Sequence, residues 1–363
     1  MNQERALGKL ETLWSSVVCN VVVPCSLSLK KAINEAILEQ AVNHVIKTQP
    51  NLHSGVVTIS DGSKVFQPVT LIHDVFEVLS STTDWKSICL KYSRQHLRED
   101  SSKHCLLKVF YVPFSHEKSY MILVYHHCIG DGTNGMSITN DILTAYMQLC
   151  KSVTLEDAPH NPSASVEVAV RQELGDRFDS LRQKVVDYNI AARKRYNCLL
   201  PVDIAEPKAN AALYFTSTEE EYTSFLMACK NEGVTVGNVL IAAMYFGYCS
   251  LLFDELKVKE EVLHVGCSVP ANMRGRLKND IPKNTVNLYI AILLIDHAVS
   301  LNTNFLQFCR DIRDDFNNKF INSQHMFDMA VDAKSMILED DDVRMRYDET
   351  HRWQELCVSN MLK

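Results

Sequence analysis

Two periods alternate along the chain, and together they predict a mixed α/β protein. Val17 to Val23 is β-branched and predicts a strand. Ala32, Ile33, Ala36, Ile37, Ala41, Val42, Val45 and Ile46 recur at helical spacing, so a helix is expected from a cap at Ser28 to about Lys47, with Pro50 just beyond. Val56 to Ser60 and Lys64 to Val69 flank Asp61-Gly62, the strongest hairpin signal in the chain. A helix over Trp85 to Leu97, strands over Cys105 to Val112 and Tyr120 to Tyr125, and a helix over Thr133 to Leu149 follow.

The pattern then breaks. Residues 151–165 carry Pro159 and Pro162 among small and polar residues and read as a linker. A charged helical stretch over 165–196 ends in Arg193-Lys194-Arg195, and residues 198–210, with Pro201 and Pro207, read as a crossing segment. The second half repeats the mixed texture. Strands are expected over Ala211–Thr216, Val262–Val269 and Thr285–Ile295, and helices over Glu219–Asn231, Val236–Phe253 and Leu301–Ile321. The expected division is a first domain at 1–165, a helical linker and crossover at 166–210, and a second domain at 211–363. Glu339-Asp340-Asp341-Asp342 reads as a loop or a helix start rather than a metal cage.

Composition narrows the function classes. With 363 residues, a sizeable core is available. Lys plus Arg is 37 against 44 Asp plus Glu, a formal charge of −7, which argues against a nucleic-acid binder. No secretory leader is read at the N-terminus and no apolar run reads as a membrane span, so a soluble, cytoplasmic protein is expected. Its 12 cysteines include no C-x-x-C pair, which predicts buried free thiols in a reducing compartment and no structural zinc.

The segment that could carry chemistry is Tyr120-Met-Ile-Leu-Val-Tyr-His126-His127-Cys128-Ile-Gly130-Asp131-Gly132-Thr-Asn-Gly135, an apolar strand ending in two histidines and a glycine-rich turn. Histidine is the side chain suited to moving protons near neutral pH. Neighbours on a strand point to opposite faces, so one of the two faces a cavity and the other finds a structural partner. Gly130, Gly132 and Gly135 allow positive φ and close backbone approach. They also spell G-x-G-x-x-G, but the helix leads into the Pro-containing linker and not into a strand with an acidic end, so a dinucleotide site is disfavoured. Cys128 as a nucleophile is disfavoured because a sequence neighbour is rarely placed to activate it. A serine hydrolase is disfavoured because no G-x-S-x-G is present.

His126-His127-x-x-x-Asp131-Gly132 resembles the motif of the chloramphenicol-acetyltransferase-like acyltransferase superfamily, which includes alcohol acetyltransferases, polyketide-associated acyltransferases and peptide-synthetase condensation domains. Lys30–Gly55, Gly233–Ala243, Val269–Leu277 and Cys357–Asn360 also resemble segments of these proteins. The plant-type Asp-Phe-Gly-Trp-Gly motif is absent, which favours the alcohol-acetyltransferase and condensation-like branch.

The resemblance implies two such domains, α/β with mixed sheets, and an active-site tunnel between them. It implies His127 as the general base, Asp131 pinned by an arginine, and Gly132 at a tight turn. Arg274 is the arginine proposed, His126 is structural, and Arg276 is read as a surface or interdomain ion pair. Ser359 and Asn360 are tunnel candidates. Related chains continue well past the Ser-Asn segment, so the second domain is expected to be incomplete at Lys363. The expected activity is acyl transfer from a thioester to an alcohol or amine, with acyl-CoA as co-substrate and no bound cofactor or metal. Two rivals are a condensation-type domain fed by an acyl carrier protein, and a non-catalytic binding protein that kept the fold.

Overall fold

The computed structural model describes residues 4–28, 31–69, 74–97, 102–115, 117–156, 163–197, 212–255, 257–277, 281–282, 284–321, 340–350 and 356–359. The chain divides into two units, residues 1–173 with 273–289, and residues 174–272 with 290–363. The return of 273–289 to the first unit has no signal in the local sequence.

In the first unit the elements run β1 (Arg5–Ala6), α1 (Lys9–Ser15), β2 (Asn20–Ser28), α2 (Glu35–Thr48), β3 (Ser54–Thr58), β4 (Lys64–Pro68), β5 (Phe76–Val78), α3 (Trp85–Tyr92), β6 (Leu107–Val112), β7 (Lys118–His126), α4 (Gly132–Cys150) and α5 (Val166–Leu174). One sheet is ordered β2-β7-β6-β5 and a second β1-β4-β3. β7 is interior to its sheet, which explains its continuous run of buried residues from Met121 to His126. The core gathers Leu38, Val42 and Ile46 of α2, Leu107 and Val109 of β6, Leu123 and Tyr125 of β7, and Ile138 and Ile142 of α4.

Two boundaries differ from expectation for readable reasons. β2 pairs with β7 from Asn20↔His126 to Ser28↔Lys118, so the ladder claims Ser28. The helix behind it is capped instead by Asn34, whose side chain accepts from the Ile37 amide at 3.1 Å. The long helix expected over 165–196 breaks at Gly175, which holds φ +50°, a value glycine adopts without strain. In the hairpin, Gly62 takes φ +85° between β3 and β4.

The second unit contains α6 (Phe178–Arg195), α7 (Glu219–Asn231), α8 (Val236–Ser250), β8 (Val262–Asn272), β9 (Ile290–Ser300), α9 (Phe305–Ile321), α10 (Asp341–Thr350) and β10 (Leu356–Cys357). Its sheet is ordered β10-β8-β9, with β8 and β9 antiparallel over 11 residues each. Ile241, Ala242, Tyr245 and Cys249 of α8 pack on Val265 and Cys267 of β8, Ile295 of β9 and Phe308 of α9. Among the described residues, 236–254 form the one helix long and apolar enough to cross a membrane, where a helix was expected but no span. The face of it that carries Ile241, Ala242, Tyr245 and Cys249 is built into this core.

The strand expected at 211–216 is absent from the described part, 212–216, which pairs with nothing in a ladder and leaves Leu213 and Phe215 exposed. The strand expected from Thr285 begins only at Ile290. Residues 285–287 give their main-chain groups to side chains instead. Gln49 Oε1 accepts from the Val286 amide and Asn134 Oδ1 from the Asn287 amide, and the Thr285 carbonyl accepts from Asn134. A backbone committed in this way has nothing left for a ladder.

Candidate active site

The site grows out of the end of β7. His126 is its last residue, residues 127–129 form one turn of 3₁₀ helix, and α4 opens at Gly132. Backbone bonds fix the turn to its surroundings. The His127 amide donates to the Cys19 carbonyl at 2.7 Å and the His126 amide to Leu106 at 3.0 Å.

The two histidines diverge at this point. His126 is buried, with Nδ1 3.1 Å from Cys128 Sγ and Nε2 3.1 Å from the Val17 carbonyl. His127 is part-buried, and its Nδ1 is shielded from solvent without a hydrogen-bond partner among the described residues. Its ring lies against Trp14, centroid to centroid 3.9 Å, tilted by 57°. Burial lowers the pKa of both rings from the ordinary 6.5, against weaker opposing pulls. For His127 those pulls come from nearby backbone groups and the Asp131 carboxylate. The shift favours the neutral imidazole, the form of His127 able to accept a proton. Cys128 is fully buried, and burial pushes its thiol pKa far up, which removes it as a nucleophile.

Asp131 is the N-cap of α4, with Oδ1 accepting from the Thr133 amide at 3.1 Å. Its other oxygen accepts from Arg274 Nη1 at 2.7 Å and from the Tyr289 amide at 2.9 Å. The two side chains are 1% and 2% exposed, so the pair is dry. A dry charge needs every lone pair and proton used. Arg274 also donates to the Asn287 carbonyl at 2.7 Å and to Asn134 Oδ1 at 3.3 Å, with its cation 5.7 Å above the Tyr289 ring. The Tyr125 hydroxyl donates to the Asp131 carbonyl at 2.6 Å. Asp131 thus ties 126–134 to 273–289.

Of the two roles expected of the glycines, close approach is found and positive φ is not. Among the described glycines, positive φ occurs at Gly62, Gly175, Gly233 and Gly275, and at none of Gly130, Gly132 or Gly135. Close approach is the operative constraint at Gly135. A Cβ there would meet Val23 Cγ2 at 2.5 Å, so α4 rests on β2 only because the side chain is missing. Gly132 opens α4 with no left-handed backbone.

His126, His127, Asp131, Gly132 and Arg274 are thus gathered in the first unit. Arg276 is exposed. Ser359 is exposed and belongs to the second unit, and Asn360 lies outside the described residues. Sequence reasoning missed Trp14, Asn134 and Asn287. Asn134 sits three residues after Asp131, the spacing of a capping pair, and that signal could have found it. Among the described residues no group of His, Cys, Asp and Glu is arranged to hold a metal ion.

Mixed sheets and helices in two units are the chloramphenicol-acetyltransferase-like fold of condensation domains. The chain belongs to the condensation-domain family, whose profile matches residues 16–325. It is 23% identical over 332 residues to one of the subunits of linear gramicidin synthase from Brevibacillus parabrevis, covering 85% of this chain but 6% of that protein. Polyketide synthase associated protein 5 from Mycobacterium tuberculosis has a similar structure, with 17% identity, a TM-score of 0.65, and coverage of 89% of this chain and 75% of that one. The first condensation domain of the calcium-dependent antibiotic synthetase is similar at 14% identity and a TM-score of 0.65, covering 88% and 74%. At such identities the likeness establishes the fold. The family corrects one expectation. Condensation domains take acyl groups from carrier-protein thioesters, so acyl-CoA is withdrawn as the co-substrate.

Proposed function

We propose that this chain is a condensation-type acyltransferase domain, moving an acyl group from a carrier-protein thioester to an amine or alcohol acceptor with His127 as general base. The observation that carries the reading is the contrast at the end of β7. His126 is buried with both ring nitrogens engaged, while the neighbouring His127 is only part-buried and burial lowers its pKa below the ordinary 6.5, favouring the proton-accepting form. In this reading the acceptor nitrogen or oxygen attacks the thioester carbonyl as His127 takes its proton. The carbon–sulfur bond breaks, and the carrier's thiol leaves with a proton returned from the imidazole. A positioned base contributes roughly 10²–10⁴ in rate. The Asp131–Arg274 pair keeps the turn in place and does not touch substrate.

The test offers the purified chain a panel of acyl-loaded and aminoacyl-loaded carrier proteins and follows the condensed product by intact mass. Transfer by the wild type, falling about 10²–10⁴-fold in His127→Ala with an unchanged melting curve, is the expected result. Equal transfer in the two proteins overturns the assignment of the base. Absence of transfer from every carrier thioester by a well-folded wild type overturns the activity.

A further inference from the structure

A catalytic imidazole is ordinarily aimed by a hydrogen bond to the nitrogen that does not react. His127 Nδ1 makes no well-formed hydrogen bond among the described residues, and the pull on the ring from its own backbone and that of Gly130 is weaker than the effect of burial. Its ring is nevertheless enclosed, and the closest aromatic contact among the described residues covers it, Trp14 at 3.9 Å between centroids. The geometry points to Trp14 as a positioning residue for His127, fixing the ring by packing in addition to its weak backbone contacts. The inference rests on the reading of His127 as the base.

The helix that presents Trp14 is anchored beyond its size. α1 spans only 7 residues, too few to be stable by itself. Its first turn is clamped by Glu11, a residue 1% exposed. Arg5 grips that carboxylate with two bonds of 2.9 and 2.7 Å, and the Gly8 amide adds one of 2.6 Å. The Leu10 amide donates to Glu167 Oε1 at 2.8 Å, tying α1 to α5. At the other end Lys64 Nζ donates to Ser15 at 3.0 Å and Ser16 at 2.7 Å. The chain leaving α1 then supplies the Val17 carbonyl to His126 and the Cys19 carbonyl to the His127 amide. One short helix and its exit therefore meet both histidines, and Trp14 is the side chain that reaches the reactive one.

Trp14 also acts on basicity. It is an apolar cover, and desolvation is the leading cause of the lowered pKa of His127. The titratable groups around the ring are accounted for. Asp131 is bound by Arg274, His126 is itself held neutral by burial, and Cys128 and Cys19 have raised pKa values, Cys19 at about 11. α1 contributes Lys9 and Glu11, the latter engaged by Arg5.

The test uses Trp14→Ala, Trp14→Phe and, as a control on the same helix, the exposed Leu13→Ala. The ring of His127 is titrated by NMR, its resonance identified by its disappearance in His127→Ala. Turnover is followed against pH with the carrier substrates. In Trp14→Ala the His127 pKa is expected to rise towards 6.5, carrying the acid limb of the rate profile with it, while kcat falls by roughly ten- to a hundredfold and KM changes little. Trp14→Phe should restore most of both effects, and Leu13→Ala should show neither. An unchanged pKa and kcat in Trp14→Ala overturns the inference, as does a Leu13→Ala variant that shifts as far. If Trp14→Ala does not fold, Trp14→Leu takes its place, and wild-type kcat in that variant overturns the aromatic role. The titration needs no substrate, so failure of the proposed activity and failure of the positioning role give different results.

Discussion

Tyr125 in the first unit and Tyr245 in the second are both fully buried, and both hydroxyls meet main-chain carbonyls. Tyr125 donates to Asp131, the residue that caps α4 and is gripped by Arg274. Tyr245, on α8, reaches the carbonyls of Ile295 at 2.6 Å and Val265 at 3.1 Å, at the middle of the β8–β9 ladder. The first hydroxyl braces a loop and the second braces a sheet. The difference extends to the surrounding groups. The loop braced by the first holds the bonded buried polar groups Asp131, Asn134 and Arg274, while the second packs against Phe308, Cys267 and Val265 with the His297 ring 6.4 Å away. Buried polar groups are costly unless every one is bonded, so their concentration in one loop marks where geometry must be exact. The surroundings of Tyr245 use more of the cheaper apolar solution.

The sharpest way to break this contrast is to cut one ion pair in each unit. Asp131→Ala strands the Arg274 guanidinium in a dry site, which costs about 3–5 kcal/mol and lowers Tm by roughly 10 °C. Arg195 also bonds an aspartate, Asp296, but its own side chain is 45% exposed and water can replace the partner. Asp296→Ala is therefore expected to cost under about 1 kcal/mol. Calorimetry on both variants checks the ranking, and equal losses would remove the distinction between the units.

The same contrast explains what could be read in advance. His126, His127, Asp131 and Gly132 are legible because a strand, a turn and a helix cap are local, and their spacing is written in seven consecutive residues. Arg274 stands 143 residues from Asp131 and was reached only through family resemblance, since no periodicity marks it. Trp14 was invisible for a further reason. It lies at the end of a helix too short for a periodic signal, and its partner is more than 100 residues away. Residues 285–289 read as strand because they are apolar, yet Asn134, Gln49 and Arg274 compete for their backbone groups. Pattern reports burial, and in this loop burial is shared between apolar packing and side-chain hydrogen bonds to the backbone.

Removing each tyrosine hydroxyl sharpens the comparison at smaller cost. Tyr125→Phe and Tyr245→Phe each leave a buried carbonyl short of a donor, worth about 1–3 kcal/mol in denaturant unfolding. The stability losses should be similar, but only Tyr125→Phe should displace the NMR resonance of the His127 ring, because only that hydroxyl holds the loop. A Tyr245→Phe variant that moves the His127 signal equally would argue against a locally braced site.

Acid should act through the same loop. His126 and His127 have folded pKa values below the ordinary 6.5 because they are buried. Between the folded and unfolded values the unfolded chain binds more protons, so stability rises with pH there and is lost as pH falls through about 6.5. Urea midpoints measured from pH 7.5 down to 5.5 should decline. The decline should be shallower in His126→Asn, which removes one of the rings with a lowered pKa, beside His127 and His53. A parallel decline in the variant would mean that the loss arises elsewhere.

The smallest effect is expected on the outer surface of the second unit. Phe215 is 90% exposed and Leu213 81%, in a segment with no ladder partner among the described residues, and Met227 of α7 is 61% exposed. A side chain that buries nothing contributes nothing by its removal, so Phe215→Ser should change stability by less than about 0.5 kcal/mol. The corresponding exchange in the first unit, Phe66→Ser, removes a ring 2% exposed that packs in the core beneath the Arg5 guanidinium, 4.8 Å away, and should cost several times more. Paired melting curves decide the point. If Phe215→Ser unfolds the protein as readily as Phe66→Ser, the 212–216 segment is packed in solution against something, and the apolar face beside α7 is covered rather than open.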